Sequence, residues 1–101
     1  TVWAGGGNDS VTAGAGNDQI GTDGGNDTVA AGDGANTVWA GAGNDVVTVG
    51  VGNSSVAGDD GNDTVAAAGG SVTVWGGAGN DSLTGGAGAD SLSGDDGNDT
   101  L

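Results

Sequence analysis

Glycine returns every ninth residue along this chain without a miss: Gly7, Gly16, Gly25, Gly34, Gly43, Gly52, Gly61, Gly70, Gly79, Gly88 and Gly97. Four residues after each stands a branched aliphatic residue, and the column reads Val2, Val11, Ile20, Val29, Val38, Val47, Val56, Val65, Val74, Leu83, Leu92, Leu101. Eleven nine-residue units run from Thr1 without insertion or deletion, and Thr100-Leu101 opens a twelfth. A fixed short period means one structural unit used repeatedly. Nine residues is too short for a helical repeat, and interior glycine costs a helix about 1 kcal/mol each. Low aromatic content and high net charge are marks of disorder, but a disordered linker has no reason to keep such columns.

Each unit reads as a three-residue strand followed by a six-residue turn. In Thr1-Val2-Trp3 the central residue is apolar and its neighbours face the other way, as strand alternation requires. Ala4 to Asp9 carries turn chemistry, because glycine reaches positive φ and Asn and Asp tolerate it. Two units make one 18-residue coil. Odd units stack in one sheet and even units in the other, each strand about 4.8 Å above its predecessor. The expected fold is all-β: a right-handed parallel β-helix or β-roll with two short-stranded sheets and a thin aliphatic core. Five and a half such coils make a rod about 27 Å long. Thr1 begins a strand and Leu101 stops inside one, so residues 1–101 are expected to be a stretch of a longer array.

The ninth column carries the chemistry. Odd turns end in Asp9, Asp27, Asp45, Asp63, Asp81 and Asp99, each preceded by Asn. Even turns end in Asp18, Asn36, Ser54, Val72 and Asp90. With Asp23, Asp59, Asp60, Asp95 and Asp96, the odd edge holds 11 of the 14 acids, in a chain with no Lys, Arg or His and a net charge of −14. Stacked carboxylates about 4.8 Å apart repel by about 3 kcal/mol per neighbouring pair at an effective dielectric near 20. A cation between successive turns relieves that repulsion. Its ligands would be carboxylates and glycine carbonyls, an all-oxygen set that suits calcium better than zinc, copper or the strictly octahedral magnesium. Five ions between six odd turns would bring +10 against −11.

The unit Gly76-Gly77-Ala78-Gly79-Asn80-Asp81-Ser82-Leu83-Thr84 resembles in full the RTX calcium-binding nonapeptide G-G-x-G-x-D-x-U-x, and so does Gly85 to Ser93. Looser copies cover the whole chain. The resemblance implies a calcium-bound parallel β-roll of bacterial proteins exported by type I secretion, unfolded in the calcium-poor cytosol and folded outside, at an extracellular or cell-surface location. It implies that each aspartate ligates calcium jointly with backbone carbonyls of its own turn and the next. The carry-over reaches the six odd aspartates, with carbonyls near Gly7, Gly25, Gly43, Gly61, Gly79 and Gly97. It also reaches Asp18 and Asp90, and finds no carboxylate at Ser54 or Val72.

Other chemistries fail on missing residues. Without Cys or His there is no disulfide, no thiolate or imidazole metal site and no Ser-His-Asp triad. Asp59-Asp60-Gly61-Asn62-Asp63 hints at an EF-hand, but no Glu closes a loop. The glycine-rich turns lack the lysine of a P-loop and the helix of a dinucleotide site. Asn-Asp-Ser/Thr sequons arise as by-products of the repeat. Paired carboxylates on a ladder without a cleft favour ligation over acid–base catalysis, so no enzymatic activity is expected. An all-acidic chain will not bind nucleic acid, and no run of about 20 apolar residues could insert in a bilayer.

A longer period lies on top. TVWAGGGND, TVWAGAGND and TVWGGAGND begin 36 residues apart and place Trp3, Trp39 and Trp75 on the outer face of the odd sheet, about 9.6 Å apart over Gly21, Ala57 and Ser93. Each indole can shield the backbone of the next coil, or the three can form a face for docking, since exposed apolar patches mark contact sites. The expected function is a calcium-binding structural repeat of an adhesin, surface-layer protein or matrix fibre, with copies of itself as a further partner. The alternatives are the secretion and folding region of an exported enzyme or toxin, and a glycan-binding module using the Trp face.

Overall fold

The computed structural model describes all of residues 1–101. Its eleven strands are numbered in chain order. One sheet runs β1 (Val2–Trp3), β3 (Gln19–Gly21), β5 (Thr37–Ala42), β7 (Ser55–Asp60), β9 (Thr73–Ala78), β11 (Ser91–Asp96). The other runs β10 (Ser82–Thr84), β8 (Thr64–Gly69), β6 (Val46–Val51), β4 (Thr28–Gly32), β2 (Ser10–Thr12). All pairings are parallel, and nearly all join residues 18 apart, as in Val38↔Val56 and Val47↔Val65. Odd and even units therefore separate into two sheets as their register requires.

The aliphatic column forms the core. Ile20, Val38, Val56 and Val74 from one sheet meet Val11, Val29, Val47, Val65 and Leu83 from the other, all buried. Val2 and Leu92 pack against this cluster but are only partly buried, because the coils at the two ends are covered on one side. The core is one side chain deep, and the principal extents of 27 × 26 × 12 Å describe a flat block rather than a slender rod.

Strands are longer than three residues in the middle of the stack. β5 through β9 and β11 each have six, because turn residues such as Gly41 and Ala42 also pair with their counterparts, here Asp59 and Asp60. The turns are held the same way. Of the backbone hydrogen bonds, 22 lie outside the strands, and every one joins residues 17 or 19 apart. None closes a turn locally. A single coil would have no backbone–backbone hydrogen bonds in its turns, so stability resides in the contacts between coils, as in solenoids generally.

The invariant seventh-column glycine follows from this stacking. Gly61 has φ +127°, and a Cβ there would collide with the carbonyl oxygen of Gly43 in the coil before. Gly43, Gly79 and Gly97 repeat the arrangement. Gly14 has open space around it and no positive φ. Gly61→Ala should therefore lower folded stability by at least the 1–3 kcal/mol or so that a forced backbone conformation costs. Gly14→Ala should stay within about 0.5 kcal/mol of the parent. Urea unfolding in saturating calcium measures both, and equal midpoints for the two variants would contradict this account.

Candidate metal centre

The molecule has no pocket, and no three acidic side chains converge on one point. Its chemistry lies in the gaps between coils. Along the odd edge each aspartate reaches back to the coil before it. The amide N–H of Asp9 donates to Asp27 Oδ1 at 2.7 Å, Asp27 to Asp45 at 2.7 Å, Asp45 to Asp63 at 2.9 Å, Asp63 to Asp81 at 2.8 Å and Asp81 to Asp99 at 2.9 Å. Asp27, Asp45, Asp63 and Asp81 are buried, with side chains turned into the stack. Asp9 and Asp99 belong to the end coils and are half-buried.

In Asp27, Asp45, Asp63 and Asp81 one carboxylate oxygen is thereby used, and the other is not. The Oδ2 atoms of Asp9, Asp27, Asp45, Asp63 and Asp81 are buried with no hydrogen-bond partner. A buried polar atom without a partner costs about 1–3 kcal/mol, more when charged. Five such atoms in a row, one for each gap between the six odd turns, are a demand for a positive partner. The donor set fits a hard cation. Beside Gly58, Asp63 Oδ2 and the Gly76 carbonyl oxygen converge where a Cβ would sit, and Asp81 Oδ2 and the Gly94 carbonyl do so beside Gly76. With two carboxylates at most in reach of a gap, main-chain oxygens must complete any coordination, which is oxygen chemistry of the calcium kind.

These fourth-column carbonyls were not legible as site atoms in the sequence. The seventh-column carbonyls expected there, those of Gly7, Gly25, Gly43, Gly61 and Gly79, point along the stack at the glycine of the next coil, and none accepts a backbone N–H. Gly97 faces the Gly79 carbonyl in the same way. A second feature also went unread. Asn8, Asn26, Asn44, Asn62 and Asn80 each accept, on Oδ1, the amide N–H of the asparagine one coil further on, at 2.7–2.9 Å. This ladder runs opposite in sense to the aspartate ladder beside it. Its signal was present, since all six odd turns carry Asn-Asp.

On the even edge Asp18 is half-buried and its N–H donates to Asn36 Oδ1 at 2.9 Å. Asp90 is half-buried and its Oδ1 accepts the Val72 N–H at 3.1 Å. No oxygen of either is buried without a partner.

The three tryptophans share the outer face of the odd sheet but not one spacing. Trp3 lies over Gly21, filling the place of a side chain there, and stacks on Trp39 with centroids 5.9 Å apart and planes 23° from parallel. Trp39 and Trp75 are separated by Ala57, whose methyl group occupies the space that Gly21 leaves open, and they do not stack. Exposures of 64% for Trp3, 39% for Trp39 and 44% for Trp75 leave much indole surface uncovered.

Burial pushes the Asp63 carboxyl from 3.8 up to about 6. The Asp45 amide opposes that shift, and the charges of Asp45, Asp81 and Asp59 add to it. Asp45 is raised too, first by burial, with the Asp27 amide opposing and the Asp27 charge adding. Between pH 3.8 and about 6 the folded metal-free chain thus binds more protons at Asp63 than the unfolded chain does. Its stability rises as pH falls from 7 toward 4, by at most about 3 kcal/mol from this group. In chelator, the β circular dichroism signal should grow on acidification from pH 7 to 4.5, and Asp63→Asn should strengthen it already at pH 7. A signal that is flat or falls over that range would contradict the assignment.

Comparison with known families agrees with this geometry. The family model described as RTX calcium-binding nonapeptide repeat (4 copies) matches residues 1–29, 21–56, 50–74, 57–92 and 73–101. No curated protein and no solved structure matches the chain. With matches from the first residue to the last and a parallel two-sheet solenoid of 18-residue coils to carry them, the chain belongs to the RTX calcium-binding nonapeptide repeats, Ca2+-binding structural modules typical of secreted bacterial proteins.

Proposed function

We propose that this chain is a calcium-folded structural segment of an adhesin, surface-layer protein or matrix fibre outside the bacterial cell, part of a longer array. We further propose that its ions sit along the odd edge, held by Asp9, Asp27, Asp45, Asp63, Asp81 and Asp99 with main-chain carbonyls of adjacent turns. The observation that carries this is the row of five buried Oδ2 atoms without partners, one per gap. Bound calcium supplies positive charge and oxygen coordination in each gap. The aspartates fix the register: each Oδ1 ties its coil to the one before, which aims Oδ2 into the gap. The 36-residue period, regular through the chain, favours a fibre over the secretion region of an enzyme. The uncovered indoles of Trp3, Trp39 and Trp75 are the surface on which a second copy docks once the edge charge is neutralised.

Two experiments test this reading. In chelator at neutral pH the chain should give a coil-like circular dichroism spectrum, and millimolar calcium, but not magnesium, should restore the β spectrum. Without the ion, carboxylate repulsion opposes a thin core that must also offset the entropy of ordering 26 glycines. Asp45→Ala removes a carboxylate at the middle of the ladder and should raise the calcium needed for half-folding at least about tenfold. Asp60→Ala, which removes an exposed side chain that makes no hydrogen bond, should change it about twofold at most. A β spectrum that persists in chelator, or equal behaviour of the two variants, would refute the proposal. For the docking face, a triple Trp→Ser variant in saturating calcium should fold but lose self-association in sedimentation. If the parent stays monomeric at high concentration, the indoles serve only as covers.

A further inference from the structure

The even edge solves the same stacking problem with different chemistry. Its ninth-column residues at the middle three coils are Asn36, Ser54 and Val72, all buried. Asn36 has both polar side-chain atoms satisfied: Oδ1 accepts the Asp18 N–H at 2.9 Å, and Nδ2 donates to the Gly32 carbonyl at 2.9 Å. Ser54 is also complete. Its Oγ accepts the Asn36 N–H at 3.1 Å and donates to the Gly34 carbonyl at 3.1 Å. Val72 brings an isopropyl group where the odd edge has a carboxylate, and Ala31, Val49 and Ala67, buried in the fourth column, line the same edge with hydrocarbon. The coil reshapes to admit this. The β4–β6 register slips so that Gly32 pairs with Val49 instead of Gly50.

The contrast with the odd edge is complete. There, five carboxylate oxygens are buried without partners; here, no side-chain oxygen is. Where an odd-edge Oδ2 needs a cation between itself and a carbonyl of the next coil, the Asn36 amide instead donates a hydrogen bond to the Gly32 carbonyl of its own coil. A buried polar group needs a partner, and on this edge the protein itself supplies all of them.

We propose that the even edge is closed without metal. The side-chain amide of Asn36, the hydroxyl of Ser54 and the hydrocarbon of Val72 take the place of calcium there. The chain then binds ions along one edge only, at the five gaps of the odd ladder. The metal-free edge needs no ion to complete its own hydrogen bonds, so in the folded stack it holds coil register whichever gaps of the other edge are filled. This rests on the odd ladder being the calcium edge, and the two readings fail separately.

The test is the number of calcium ions bound per chain, by elemental analysis after equilibrium dialysis in saturating calcium, for the parent chain, Ser54→Ala and Asp45→Asn. Five ions in the parent are expected, and more than five would overturn the proposal. Ser54→Ala should leave the parent's number unchanged, whatever that number is, and lower the urea midpoint by the same increment at two calcium concentrations that both fold the chain. Loss of an ion in Ser54→Ala would make the hydroxyl a ligand and overturn the proposal. Asp45→Asn should lose at least one ion; if it loses none, the odd-edge assignment falls while the even-edge result still stands on Ser54→Ala. Should Ser54→Ala fail to fold, Ser54→Thr keeps the hydroxyl. An ion count for that variant above five overturns the proposal, and a count at or below five upholds it.

Discussion

A parallel coil lays every residue over its counterpart 18 positions earlier, about 4.8 Å away, so each side chain must suit a near-copy of itself. Aliphatic residues meet this easily, and the Val/Ile/Leu column becomes a continuous core. Asparagine meets it by hydrogen-bonding onward, side chain to the next amide. Aspartate meets it only halfway. One oxygen accepts the amide of the coil before, and the other is left buried beside more of its kind. Because all backbone–backbone hydrogen bonds of the turns also run between coils, repulsion at one edge acts on the contacts that hold the whole molecule together. The need for a positive partner along that edge thus follows from stacking carboxylate on carboxylate.

The two edges show that the geometry does not by itself demand a metal. The same backbone turn closes with Asn36 and Ser54 forming neutral hydrogen bonds and with Val72 adding hydrocarbon. What separates the edges is the choice at one position in nine. Aspartate makes cohesion conditional on an external ion, and asparagine, serine or valine makes it unconditional. A chain with aspartate on both edges would need ions in the gaps of both. One with neutral residues on both would fold wherever it was made.

The coil length, the division into two sheets, the core and the aspartate ladder could all be read from the sequence, because each is a column property and columns survive in one dimension. What escaped depended on direction within a coil. The carbonyls of Gly76 and Gly94 meet the free carboxylate oxygens, but a carbonyl carries no sequence signal. The extension of β5 to Ala42 follows from turn residues pairing in register, although their composition speaks only for a turn. The stack of Trp3 on Trp39 depends on a ring lying across a whole coil. Spacing alone placed those indoles one above another at twice the strand separation.

The 36-residue period has its own cause, the reverse of the like-on-like rule. In the fifth column of the odd units Gly5, Asp23, Gly41, Asp59, Gly77 and Asp95 alternate. Asp23, Asp59 and Asp95 are the three non-glycine residues at positive φ, at 62°, 76° and 64°. A Cβ on Gly41 would strike the Asp23 carbonyl, and one on Gly77 the Asp59 carbonyl. Glycine at 41 and 77 is thus required by the main chain of the coil before, at φ of 103° and 105°. Two columns away Trp3 occupies the space over Gly21, where no side chain could share it. Columns whose neighbours bond or dovetail repeat every coil, and columns whose neighbours collide can repeat only every second coil. On this outer face the indoles and the fifth-column aspartates therefore stand on alternate coils, out of phase, with Trp3 filling the room that Gly21 leaves and reaching Trp39 across it.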